Sequence, residues 1–187
     1  MEIMRLVVAG PVGAGKSTFI RSVSEIEVID TDRKASDETG LLKEKTTVGF
    51  DFGRLQFGPE MALHLYGTPG QDRFDFMWEE LIGKAHAYIL LVPANRPAAF
   101  RKAHLIYQFM TERVALPMVV GVTHLDCEAA WNAENVAIAT GFTDHAQRPP
   151  FVSVNATEPV SVTQALLVLL QQYALMSADQ PSSSAQF

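Results

Sequence analysis

The chain has 187 residues, 48% hydrophobic and 19% charged, the balance of one globular domain with a sizeable core. A net charge of −6 excludes a nucleic-acid surface built on clustered Lys and Arg. The single cysteine, Cys127, excludes an internal disulfide and sets the expectation of a reducing cytoplasm.

Taken in order, residues 3–9 form a continuous apolar run that reads as a buried strand. This run leads straight into a loop, so no leader peptide is expected. Residue 2 is Glu and the sequence closes on Ala185-Gln186-Phe187, so no lipid anchor is expected either. The longest unbroken apolar stretch, 165–170, is too short to cross a bilayer.

Gly10-Pro11-Val12-Gly13-Ala14-Gly15-Lys16-Ser17 fits G-x-x-x-x-G-K-[ST], the phosphate-binding loop. Its glycines let the backbone curl close to a polyphosphate, and the amides of Gly13, Ala14, Gly15, Lys16, Ser17 and Thr18 are expected to face it. The Lys16 ammonium is placed for the β- and γ-phosphates, and the Ser17 hydroxyl for Mg²⁺. Helical spacing of Phe19, Ile20 and Val23 over 18–24 puts the loop at a helix N-terminus, where dipole and free amides favour an anion.

Residues 30–40 are polar and lack an apolar period, either a solvated connector or a segment that senses a bound nucleotide. Residues 47–57 and 61–66 flank Gly58-Pro59-Glu60 and predict an antiparallel hairpin. A helix is predicted over 75–81 and a central strand over 87–92. Another helix starts at Pro97, its face traced by Phe100, His104, Tyr107 and either Met110 or Thr111. A strand over 117–122, a helix over 128–140 stopped by Gly141, a strand over 151–154 and a helix within 157–176 complete the pattern. The expected architecture is three-layer α/β: a mostly parallel six-stranded sheet with one antiparallel hairpin and helices on both faces. One domain over 1–176 and a disordered Ser/Gln/Pro-rich tail over 177–187 are expected.

Three further loops follow strand ends, the edge at which an open α/β sheet binds ligands. In Gly67-Thr68-Pro69-Gly70-Gln71, the Gly70 amide is placed for a γ-phosphate and the Gln71 amide for an attacking water. In Thr123-His124-Leu125-Asp126, the Asp126 carboxylate can take two hydrogen bonds from guanine's ring N–H and exocyclic amine, an edge adenine lacks. The alternative for Asp126 is a cap on the following helix. In Asn155-Ala156, the Ala156 amide can meet the carbonyl oxygen of a base.

With these motifs in this order, nearly the whole chain resembles the small Ras-like GTPases. The phosphate loop, Thr47 in an Arf-like Thr-Val-Gly-Phe, Gly67 to Gln71 for Asp-x-x-Gly-Gln, Thr123 to Asp126 for Asn/Thr-Lys-x-Asp, and Asn155-Ala156-Thr157 for Ser-Ala-Lys carry the likeness. It is closest to the bacterial and archaeal branch with a Pro-Gly-Gln switch. The resemblance implies a small G-protein fold, GTP and GDP as ligands, and Mg²⁺ held by Ser17 and Thr47. It implies slow hydrolysis assisted by Lys16, Thr47 and Gln71, and nucleotide contacts from Thr123, His124, Asp126, Asn155 and Ala156. The gliding-motility GTPases of this branch imply a roadblock-fold regulatory partner.

Three positions depart from the pattern. Gly67 stands where an Asp usually reaches Mg²⁺, and Asp51 ranks ahead of Asp30 and Asp32 as its substitute. His124 replaces a Lys, and Val12 a Gly whose absence can obstruct an arginine finger. Arg33, Arg54 and Arg73 are the internal finger candidates. Three readings stay open: a slow GTPase switch, a GTP-binding module that barely hydrolyses, and a P-loop ATPase or kinase. His64, His86, His104 and His145 show no metal-ligand spacing, and Trp78 and Trp131 read as core or partner contacts. Phe50, Phe52, Phe57, Phe74, Phe76 and Trp78 mark the hairpin region as the expected partner surface.

Overall fold

The computed structural model describes residues 2–30, 50–69 and 75–179. The first apolar run is strand β1 (Glu2–Ala9), and helix α1 (Lys16–Val23) follows the glycine-rich loop. A two-residue strand β2 (Ile29–Asp30) precedes the expected hairpin, β3 (Asp51–Phe57) and β4 (Met61–Gly67). Then come α2 (Asp75–Ile82), β5 (Ala87–Pro93), and a 3₁₀ turn (Pro97–Ala99) that opens α3 (Phe100–Arg113). Strand β6 (Met118–Thr123), α4 (Ala133–Ala139), β7 (Phe151–Ser153) and α5 (Pro159–Asp179) finish the chain.

The strands lie in one sheet in the order β2-β3-β4-β1-β5-β6-β7. All six expected strands are present, and β2 adds a short antiparallel edge to β3. Strand β1 sits in the middle, parallel to β4 on one side and β5 on the other. Strand alternation divides its side chains between two cores. Met4, Leu6 and Val8 pack with Phe19 and Ile20 of α1 and with Val162, Ala165, Leu166 and Leu169 of α5. Val7 and Ala9 pack on the other face with Trp78 of α2, Phe100, Ala103, Ile106 and Met110 of α3, and Val136 of α4. Each such large side chain contributes about 1.5–3 kcal/mol by leaving water.

Three helices differ from expectation, and one of them, α5, runs to Asp179, three residues into the stretch expected as a disordered tail. The buried stripe of α3 runs through Phe100, Ala103, Ile106 and Met110, with His104 and Tyr107 at its margin. His104 is held there by a hydrogen bond between its Nδ1 and Thr140 O at 2.8 Å. Helix α4 starts at Ala133, because Asn132 Oδ1 accepts from Asn135 N–H at 2.8 Å and caps it there. The preceding Trp131 donates its backbone N–H to Ala94 O at 2.9 Å and packs edge-on against Phe100, which fixes a turn instead of a first helical turn. Gly141 ends α4 at φ 87°, as expected of a C-terminal cap.

Helix α5 is long and apolar enough to cross a membrane by length and composition alone. Within the run 166–170, Leu166 and Leu169 are fully buried against the sheet while Leu167 is 42% exposed. Residues 31–49, 70–74 and 180–187, which include Thr47, Gly70, Gln71, Arg33, Arg73 and most of the expected tail, lie outside the described residues.

Candidate functional site

Because the parallel strands point the same way, the loops after β1, β5, β6 and β7 emerge along one edge of the sheet. The phosphate-binding sequence occupies the loop after the central strand. Gly15, at φ 95°, is the N-cap of α1; no side chain caps that end, and no acidic residue lies in the first turn. The first free amides of the helix are therefore left for an anion.

Lys16 reaches back over the loop, donating from Nζ to Gly10 O at 2.8 Å and Pro11 O at 2.9 Å. It is only 8% exposed. Burial pulls its pKa down to about 8, and the nearby Asp51 carboxylate acts in the opposite sense. Ser17 Oγ donates to Asp51 Oδ2 at 2.5 Å, a short charge-assisted bond from the helix start to β3.

Asp51 is the register partner of Gly67. A Cβ built on Gly67 lies 3.2 Å from Asp51 Oδ2 and 2.9 Å from Ile20 Cδ1, so the carboxylate and α1 fill the space a side chain at 67 needs. A carboxylate therefore lies across the hairpin from the end of β4, at the position ranked first on sequence as a substitute for the missing one. Ser17 and Asp51 offer two hard oxygen donors beside Lys16, a fit for Mg²⁺, which keeps waters and phosphate oxygens for its other positions. Among the described residues, no group of three or more His, Cys, Asp or Glu comes together as an all-protein metal cage.

The base-side residues are tied to the same loop. Thr123 Oγ1 donates to Ala14 O at 2.9 Å, joining the end of β6 to the phosphate loop. His124 Nδ1 lies 2.9 Å from Thr123 Oγ1; since that hydroxyl gives its proton to Ala14 O, the imidazole proton is assigned to Nδ1. His124 takes a left-handed backbone, φ 59°, a non-glycine conformation that costs on the order of 1–3 kcal/mol. A Cβ built on Gly15 lies 3.4 Å from Ala156 Cβ and 3.9 Å from His124 Cε1, so β1, β6 and β7 loops meet at one point.

Asp126 is exposed in the turn after β6. Among the described residues its carboxylate has no hydrogen-bond or ion-pair partner, and the helix cap it was weighed against is made by Asn132. The Asn155 side chain, in contrast, is occupied within its own turn. It accepts from Thr157 N–H at 3.1 Å and donates to Glu158 at 2.9 Å, so of the two residues expected to meet a base from that loop, Asn155 has its side chain bonded within its own turn. Thr18 is exposed on the first turn of α1.

Among the arginines, Arg54 is removed from the loop. It is paired in register with His64 on the hairpin face opposite Asp51, where its charge helps hold the His64 pKa below the usual histidine value, behind the larger effect of burial. Sequence reading missed Arg96, in the loop after β5, whose guanidinium lies against Gly13. A Cβ built on Gly13 overlaps Arg96 Nη1 and stands 3.1 Å from Arg96 Cζ. The signal was available in outline, an arginine just past the end of a buried strand, but the strand order was not.

A curated relative, "Ras and EF-hand domain-containing protein" of Danio rerio, is 28% identical over 133 residues, 68% of this chain; the chain spans 18% of the length of that protein. A family model described as "Conserved hypothetical ATP binding protein" matches residues 26–186, well over half of the chain, beginning after α1 and so leaving out the phosphate loop itself. The protein therefore belongs to that family, and it is a nucleotide-binding P-loop protein of α/β fold.

Proposed function

We propose that the protein is a guanine-nucleotide switch: it binds GTP with Mg²⁺, hydrolyses it slowly to GDP and phosphate, and is read by a regulatory partner protein. The observation that carries the guanine reading is Asp126, an exposed carboxylate without a partner among the described residues, on a loop bonded to the phosphate cradle through Thr123. Lys16 and the loop amides would bind the phosphates, and Ser17 with Asp51 would hold Mg²⁺, which would supply neutralisation of the phosphate charge. Thr47, Gly70 and Gln71 enter from sequence: Gln71 orients water for attack on the γ-phosphorus as the bond to the β–γ bridging oxygen breaks. The resemblance to gliding-motility GTPases supports a roadblock-fold partner by analogy.

The family's description favours ATP instead. Titration of nucleotide-free protein with GTP and ATP decides between the two. GTP is expected to bind at least about a hundredfold more tightly, with Asp126→Ala erasing the preference, because adenine leaves a desolvated carboxylate facing no donor. Equal affinities in the wild type sink the guanine reading.

The Lys16 environment adds a pH dependence. Free, the ammonium loses its proton from about pH 8; with phosphate beside it, it keeps the proton. Binding therefore takes up a proton above pH 8. Affinity measured by fluorescent-nucleotide titration is expected to be flat up to about pH 8 and to fall above it, approaching tenfold per unit. A flat profile to pH 10 contradicts the assigned environment.

A further inference from the structure

We propose that Arg96 is a phosphate clamp supplied in cis, binding the diphosphate portion of the nucleotide and holding diphosphate and triphosphate alike. This rests on the nucleotide-binding reading of the site but not on the choice of base.

Strands β1 and β5 are neighbours, so the loops leaving them run side by side. That adjacency brings Arg96 onto Gly13, in the middle of the phosphate-binding curl. Gly13 sits at φ 76°, and only a residue without a side chain leaves the guanidinium its place. The Arg96 side chain is exposed, and among the described residues it makes no hydrogen bond or ion pair. An unpaired guanidinium resting on an uncapped helix start is a cation waiting for an anion. The planar fork matches phosphate oxygens two at a time.

The backbone beneath it is fixed. Arg96 N–H donates to Pro93 O at 3.2 Å, Ala99 N–H donates to Arg96 O at 2.9 Å, and Pro97 locks the next residue. Ala94 N–H is bonded to Thr123 O at 2.9 Å, and Asn95 Nδ2 donates to Cys127 Sγ at 3.5 Å. Only side-chain torsions are left to change on binding, so little backbone order has to be gained when the clamp closes.

Position along the loop decides which phosphates it takes. Lys16, Ser17 and Asp51 gather where the β- and γ-phosphates and metal are expected. Gly13 lies between Gly10 and Pro11, whose carbonyls hold the Lys16 ammonium, and Gly15, where the loops after β6 and β7 meet, so it faces the middle of the phosphate chain. Arg96 therefore acts on binding and release, in contrast to a finger on the transferring phosphoryl group.

The test compares wild type, Arg96→Ala, Arg96→Gln and Arg96→Lys for guanosine, GDP and GTP by equilibrium titration, with the adenine series in parallel. Arg96→Ala and Arg96→Gln are expected to weaken diphosphate and triphosphate by the same factor, about tenfold to a hundredfold. Arg96→Lys recovers part of the loss, and guanosine binding stays unchanged. The Tm of the nucleotide-free variants stays at the wild-type value, because the side chain is exposed; a fall in it, with affinities unchanged, assigns Arg96 a structural role and overturns the clamp. Unchanged affinities at an unchanged Tm overturn it equally, and a loss confined to triphosphate overturns it in favour of a catalytic finger. Wild-type protein that binds neither nucleotide series overturns the functional reading itself, a different result from wild type that binds and variants that bind as well.

Discussion

Lys16→Met is expected to weaken nucleotide binding by about a hundredfold or more, the largest effect of any single substitution in the site. The ammonium is nearly buried and makes two hydrogen bonds to loop carbonyls, at 2.8 and 2.9 Å, that it can exchange for phosphate oxygens. Each hydrogen bond to a charged group contributes roughly 1.5–3 kcal/mol, so the loss of two reaches 3 kcal/mol or more, and about 1.4 kcal/mol is a factor of ten. The methionine stem retains most of the packing, and removing a desolvated charge offsets the loss of its two bonds to Gly10 and Pro11. The nucleotide-free variant should therefore melt close to the wild type while the Tm rise on adding saturating nucleotide disappears. A preserved Tm rise contradicts the placement of the phosphates.

Asp51→Ala is the second. It removes the carboxylate that accepts from Ser17 at 2.5 Å and is expected to lower the Mg²⁺-dependent gain in nucleotide affinity at least about tenfold, with metal-free affinity little changed. An unaltered Mg²⁺ dependence rules Asp51 out as the replacement for the missing carboxylate at 67. The register supplies a sharper version. Asp51 and Gly67 face each other, and Asp51 atoms occupy the space at Gly67. In the double variant Asp51→Ala/Gly67→Asp the carboxylate moves to the partner strand into room its removal has opened, although Ile20 Cδ1 at 2.9 Å has to yield. Partial recovery of Mg²⁺ dependence is expected, and recovery in the double variant alone separates a ligand role from a collapsed hairpin.

The pattern of strands and helices was legible because apolar runs and alternation differ so clearly between the buried strands 87–92 and 117–122 and the hairpin. Phosphate loop, Thr123 and Ala156 could be placed on one edge because parallel strands share a direction. What sequence hides is which strands are neighbours. Arg96 meets Gly13 through the β1–β5 pairing, a contact 83 positions apart that no local pattern reports. Asp51 was ranked first for lying on a paired strand, but its reach to Ser17 depends on the facing of odd residues of β3 toward α1. The same alternation turns Phe52 outward, against His64 and Tyr66, while Phe57 packs into the core with Leu55. The late start of α4 was hidden for another reason: Trp131 and Asn132 make tertiary and capping bonds that override the helical propensity of the residues before them.

The central place of β1 also bears on how the molecule opens. Its ladder is closed on both sides and its Leu6, Val7, Val8 and Ala9 side chains are withdrawn from water, whereas the short strands β2 and β7 form the two rims of the sheet. Partial unfolding begins at rims and reaches doubly paired strands only when the whole sheet parts. The phosphate cradle hangs from the last strand to separate, so excursions at either rim leave its backbone in shape.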